Sequence, residues 1–186
     1  MVNRGIDWLV LTGGRSSRLG QDKASTPING RTMLERALAT VGQVDPWARV
    51  SVLGPEFAGG PAAAVVSALP SCGSEFVGVV AVDMPMMRAA LGVVVDSLEA
   101  SSSGVDAWIP VTAQGRRQWL CALYRRESLL RASSDRDFRD RAFHELVSEL
   151  SVLEVPAPSD VSLLDVDTPE DLERATAQVE ESERAR

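Results

Sequence analysis

Near the start of the chain, Gly13 and Gly14 are adjacent, and Arg15, Arg18 and Lys23 place three cations within nine residues. The apolar run Trp8, Leu9, Val10, Leu11 leads straight into the glycine pair and reads as a buried parallel strand. Glycines without a Cβ let backbone N–H groups approach a phosphate closely, and charged donors strengthen such contacts roughly twofold. The segment therefore reads as a cradle for a nucleotide triphosphate at the carboxyl end of a strand. For the glycine pair alone, an ordinary turn flanked by solvated basic residues remains open. Two better-known phosphate motifs are excluded. Five residues separate Gly14 from Gly20 and Gln21-Asp22-Lys23-Ala24 follows, which is not the spacing of a Walker loop, and the dinucleotide pattern of three spaced glycines is missing.

Val82-Asp83-Met84-Pro85 is the second chemical signal, a carboxylate placed where an apolar stretch ends. In an open α/β sheet it would share an edge with Gly13 and Gly14, and a Mg²⁺ ion suits a site of one or two carboxylates, phosphate oxygens and water. Capping of a helix beginning near Met86 is the competing role for Asp83. Further on, Trp119 beside Arg116 and Arg117 offers a ring for stacking and a guanidinium for a phosphate, with burial of the Trp in the core as the alternative. His144 has no partner ligand and is read as a helix-face residue without chemistry. Cys72 and Cys121 lack metal-ligand spacing and are read as core thiols of a cytoplasmic protein, since no signal peptide is evident.

These residues need a frame that brings them to one edge. Strand and helix signals alternate, which predicts a mostly parallel sheet. Predicted strands are Trp8–Leu11, Arg49–Leu53, Phe76–Val82, Asp106–Val111 and Leu120–Tyr124. Predicted helices follow the Thr32/Glu35 capping box, span Gly59 to Leu69, cover Asp137 to Leu150, and start at Thr168-Pro169. With 186 residues, 45% hydrophobic and 24% charged, the chain suits one domain over 1–178, with a charged tail from 179 to 186 that frays. A net charge of −7 argues against nucleic-acid and membrane surfaces, so the basic cluster is local and suits a small anionic ligand. No apolar run is long enough to span a bilayer, and nothing in the pattern warrants more than a monomer.

Leu11-Thr12-Gly13-Gly14-Arg15-Ser16-Ser17-Arg18-Leu19-Gly20-Gln21-Asp22-Lys23 resembles the signature of the nucleotidyltransferases related to molybdenum cofactor guanylyltransferase. Thr12 stands where those proteins usually carry Ala. The resemblance extends loosely to Leu172 and implies a three-layer, Rossmann-like fold of the nucleotide-diphospho-sugar transferase type, with helices on both faces of the sheet. It implies that Leu11, Thr12, Gly13, Gly14, Arg18 and Lys23 hold the nucleotide, that Asp83 binds Mg²⁺ with Asp167 as a second ligand, and that Arg116 and Trp119 face the acceptor. Arg18, Lys23 and Asp83 then carry catalysis. The implied reaction transfers GMP from GTP to the phosphate of molybdenum-molybdopterin and releases pyrophosphate, with molybdoenzyme maturation proteins as partners. The segment between the second strand and the Gly-Pro helix is shorter than in relatives, which leaves room for another nucleotide or acceptor, or for a catalytically silent nucleotide-binding paralogue.

Overall fold

Two apolar runs form the centre of the sheet because helices cover both of their faces. β1 (Ile6–Leu11) and β5 (Phe76–Ala81) are buried at every position and pair in parallel. The computed structural model describes residues 5–13, 22–57, 59–100 and 104–184. A small hairpin, β2 (Pro27–Ile28) and β3 (Arg31–Thr32), precedes α1 (Met33–Val44), whose first turn is closed by reciprocal bonds between Thr32 and Glu35. β4 (Arg49–Leu53) pairs in parallel with the outer side of β1, so β1 lies between β4 and β5. The chain therefore runs to one side of β1 and then to the other, which opens a crevice above the carboxyl ends of β1 and β5.

The sheet continues through β6 (Ala107–Val111), β7 (Cys121–Arg125) and β8 (Val152–Pro156) in the order β4-β1-β5-β7-β6-β8. Only β7 runs against its neighbours, as a mostly parallel sheet requires. α1, α3 (Arg88–Ala100) and α6 (Pro169–Arg184) contribute to the apolar cluster on one face. α2 (Gly60–Ala68), α4 (Arg126–Ser133) and α5 (Phe143–Leu146) contribute to that on the other. The expected three-layer α/β architecture is the one observed, and both cysteines are buried thiols within it. Among the described residues, no helix is long and apolar enough to cross a membrane.

Three local expectations need correction. The helix expected over Asp137–Leu150 is reduced to the four residues of α5, because Asp140 turns left-handed (φ 57°) and the Asp137 carboxylate accepts from the Arg139 N–H. The helix expected near Met86 begins at Arg88, after a tight turn in which Met87 N–H donates to the Met84 carbonyl. The charged end expected to fray is helical as far as Arg184, where Glu183 pairs with Arg36 at 3.2 Å and accepts from Asn29 at 2.6 Å.

Candidate active site

Lys23 is the centre of the site, and its position is set by its neighbour. The Asp22 carboxylate accepts from the N–H groups of Ala24 (3.3 Å) and Ser25 (3.2 Å), and the Asp22 carbonyl accepts from the Thr26 hydroxyl. Such an Asx turn gives the short connection a fixed shape. Backbone bonds from Met33 to Thr26 and from Leu34 to Ala24 tie it to the start of α1. The Lys23 side chain, 11% exposed, then reaches Asp83 Oδ2 at 3.0 Å and Asp167 Oδ1 at 2.6 Å. Burial alone would lower the Lys23 pKa, but the two carboxylates outweigh it and the pKa is raised. Lys23 is therefore a permanent cation at neutral pH.

Asp83 follows the end of β5, and its carbonyl accepts from Val166 N–H, which draws the segment before α6 onto the sheet edge. α3 starts five residues beyond Asp83, and the carboxylate of Asp83 bonds to Lys23 rather than to a helix N-terminus, so capping is not its role. Thr168 and Asp171 close the first turn of α6 by mutual bonds, and this presents Asp167 to Lys23. Asp165 lies on the same segment. Burial and the charge of Asp83 raise its pKa, against the opposing effects of Gln118 and Arg116.

At the glycine end, Thr12 N–H and hydroxyl both donate to the Leu53 carbonyl, at 3.0 and 3.1 Å, so the Thr12 hydroxyl locks the end of β1 to the end of β4. Val82 N–H donates to the Leu11 carbonyl on the opposite side. Gly13 is exposed, and a Cβ there would stand 3.7 Å from the Gly54 carbonyl oxygen, which is ordinary contact. Its bareness leaves room above the sheet edge rather than relieving an internal clash. Gly14, Arg15 and Arg18 lie outside the described residues.

The expected acceptor residues do not act as a pair. Arg116 bonds Asp165 at 2.7 Å, whereas Trp119 packs half-buried on the α2 side of the sheet with the Arg117 guanidinium 5.3 Å from its ring centre. Arg117, not Arg116, is the cation on that ring. Three contributors escaped sequence reading. Buried Gln118 donates through Nε2 to the Leu163 carbonyl (3.1 Å) and to Asp165 (3.2 Å), joining the Thr112–Gln118 loop to the segment that bears Asp167. Asp22 and Asp165 were visible as acids beside chosen residues, but only the fold shows what they bond. His144 is exposed on α5.

Asp83 and Asp167 each give Lys23 one oxygen, and their other carboxylate oxygens bond no described residue. Two carboxylates around one ammonium leave an excess of negative charge, which suits a hard divalent cation shared with phosphate and water. Among the described residues, no group of three or more His, Cys, Asp or Glu side chains is arranged to hold a metal by protein ligands alone. The fit is to an ion that arrives with a polyphosphate.

A doubly wound sheet brings a buried lysine, two convergent carboxylates and a glycine end to one edge, and the likeness to known proteins makes this the frame of a nucleotidyltransferase. Residues 8–150 match the MobA-like NTP transferase domain family. A probable molybdenum cofactor guanylyltransferase of Mycobacterium marinum is 31% identical over 183 residues, covering 88% of this chain and 90% of that protein. The molybdenum cofactor guanylyltransferase of Xanthomonas euvesicatoria is 42% identical over 94 residues, 45% of this chain and 49% of that one. The crystal structure of molybdopterin-guanine dinucleotide biosynthesis protein A from Archaeoglobus fulgidus superposes with a TM-score of 0.70 at 20% identity, over 94% of this chain and 99% of that chain, and so shares the fold. The chain belongs to the MobA-like NTP transferase family.

Proposed function

We propose that the protein transfers GMP from GTP to the phosphate of molybdenum-bound molybdopterin, forming molybdopterin guanine dinucleotide and releasing pyrophosphate, with Mg²⁺ required. The observation that carries this reading is Lys23 held between Asp83 and Asp167 beside exposed Gly13, in a chain whose relatives are named for this cofactor. An oxygen of the acceptor phosphate attacks the α-phosphorus of GTP, and the bond to the β-phosphate oxygen breaks as the new one forms. No protein nucleophile is needed, because nucleotidyl transfer is accelerated by positioning and charge neutralisation. Lys23 stabilises the charge that develops on the departing pyrophosphate, and its burial strengthens that effect. Asp83 and Asp167 would hold the Mg²⁺, which when bound neutralises phosphate oxygens as a Lewis acid. Gln118 and Arg116, fastened to Asp165, fix the loop that borders the acceptor side. Molybdoenzyme maturation proteins are the proposed recipients of the product.

The test is formation of the dinucleotide and release of pyrophosphate from GTP and molybdenum-loaded molybdopterin. Turnover should require Mg²⁺. Asp83→Ala should lower the rate by about 10² to 10³, the usual cost of losing a charge-stabilising group, while the thermal unfolding midpoint stays close to that of the parent. Undiminished turnover of Asp83→Ala at saturating Mg²⁺ would remove Asp83 from the mechanism. Turnover with a different phosphate acceptor, and none with molybdopterin, would keep the chemistry and replace the substrate.

A further inference from the structure

The strand order β4-β1-β5 gives the crevice two unlike sides. Lys23 and Asp83 hold the β5 side, whereas beyond Gly13 lie the Gly54 carbonyl and the short connection from β4 to α2. A nucleotide anchored by its phosphates at Lys23 and passing over Gly13 carries its base toward that second side. There Gly59 and Gly60 both adopt left-handed backbone conformations (φ 103° and 86°) at the start of α2. A Cβ on Gly59 would come within 3.2 Å of Arg139 Cγ and 3.3 Å of Arg139 Cα.

Arg139 is held there by a built turn. Asp140 N–H donates to the Gly59 carbonyl at 2.7 Å, Asp137 caps the Arg139 N–H at 3.0 Å, and Phe138 anchors the turn in the core. The arginines on either side are neutralised, Arg136 by Glu149 at 3.1 Å and Arg141 by Glu145 at 3.0 Å. The Arg139 guanidinium forms no ion pair or hydrogen bond with any described residue. The fold thus pins the stem of this arginine against Gly59 and leaves its planar donor fork uncommitted.

Resting on the nucleotidyl-transfer reading above, we propose that Arg139 is a base-specificity residue, its guanidinium donating to the two adjacent acceptors, O6 and N7, of guanine. That edge matches the fork of an arginine, whereas adenine and cytosine present an amino donor where guanine has O6. The residue therefore favours GTP both by attraction and by the unpaired donors it would leave facing ATP or CTP. α2 follows β4 in the chain, and the bond from Asp140 N–H to the Gly59 carbonyl sets Arg139 beside the start of α2.

The experiment measures binding of GTP, ATP and 7-deaza-GTP, each with Mg²⁺, to the full chain and to Arg139→Ala and Arg139→Lys. Loss of a bidentate contact should raise the Kd for GTP by roughly 10- to 100-fold in Arg139→Ala and leave the Kd for ATP within about threefold. Replacing N7 by carbon should weaken binding to the parent protein and have no further effect on Arg139→Ala. Arg139→Lys, which keeps the charge but not the fork, should recover only part of the GTP preference. Equal weakening of GTP and ATP, or no change in either, overturns the assignment to Arg139 while nucleotide binding itself stands. Failure of the parent protein to bind any of the three overturns the nucleotidyl-transfer reading and this assignment together.

Discussion

Lys23 and Asp7 show how a buried charge is kept by what surrounds it. Lys23 was legible as a phosphate ligand and Asp83 and Asp167 as metal ligands through the family resemblance, but their direct pairing with Lys23 was not, since Asp167 is 144 positions away. Asp7 was not legible as functional or structural, being an acid inside an apolar strand. Burial would raise its pKa, yet N–H donation from Ser74 at 2.7 Å and Gly73 at 2.6 Å, with Arg49 nearby, brings it below the ordinary 3.8. A carboxylate with a depressed folded-state pKa contributes stability that is complete above the unfolded value and is lost as pH falls through the folded one. Urea unfolding midpoints should therefore fall as pH is lowered below about 4. Asp7→Asn should start from a lower midpoint at pH 6 and decline less steeply. Parallel declines in parent and variant would show that Asp7 is not a source of the acid sensitivity.

At the scale of elements, what the sequence stated locally is what survived folding. The capping box at Thr32 and the Thr168-Pro169 start are signals complete within four residues, and both helices begin where those signals stand. α5 and β8 carry no such signal. α5 is a four-residue turn created by burial of Phe143 and Leu146, and β8 exists because its backbone pairs with β6. Gly78 is an instance of the same limit within a strand. A glycine in an apolar run reads as a weak strand position, but β1 and β5 place it beside Trp8, and a Cβ there would stand 2.6 Å from Trp8 Cδ2. The indole is fully buried and donates to Asp45 at 2.9 Å, so it has nowhere to retreat without losing that bond. Gly78→Ala should cost about 3 kcal/mol or more, an overpacking penalty joined to a lost hydrogen bond, measured by chemical denaturation. A cost under about 1 kcal/mol would mean that the β1–β5 pair yields more readily than this contact implies.

For the whole molecule, the site is a property of the assembled sheet rather than of any one segment. Lys23 comes from the turn before α1, Asp83 from the end of β5, and Asp167 from the approach to α6, and only the crossing of these chains at one edge creates the charge cluster. On the proposed function a polyphosphate would bind only the folded state, so binding would stabilise the fold by RT ln(1 + [L]/Kd), about 2.7 kcal/mol at a hundredfold excess over Kd. For a chain of 186 residues, where 1 kcal/mol moves the midpoint by about 2–4 °C, that is a rise of roughly 5–10 °C with GTP and Mg²⁺. Because Asp83 and Asp167 leave an excess of negative charge around Lys23, GTP without Mg²⁺ should give a smaller rise. Lys23→Ala should largely abolish both, since it removes the cation facing the phosphates and leaves the two carboxylates to repel them. A full-sized rise in Lys23→Ala would place the triphosphate away from this cluster. An unchanged midpoint for the parent at millimolar GTP with Mg²⁺ would mean that the assembled edge does not bind nucleotide as its charges indicate.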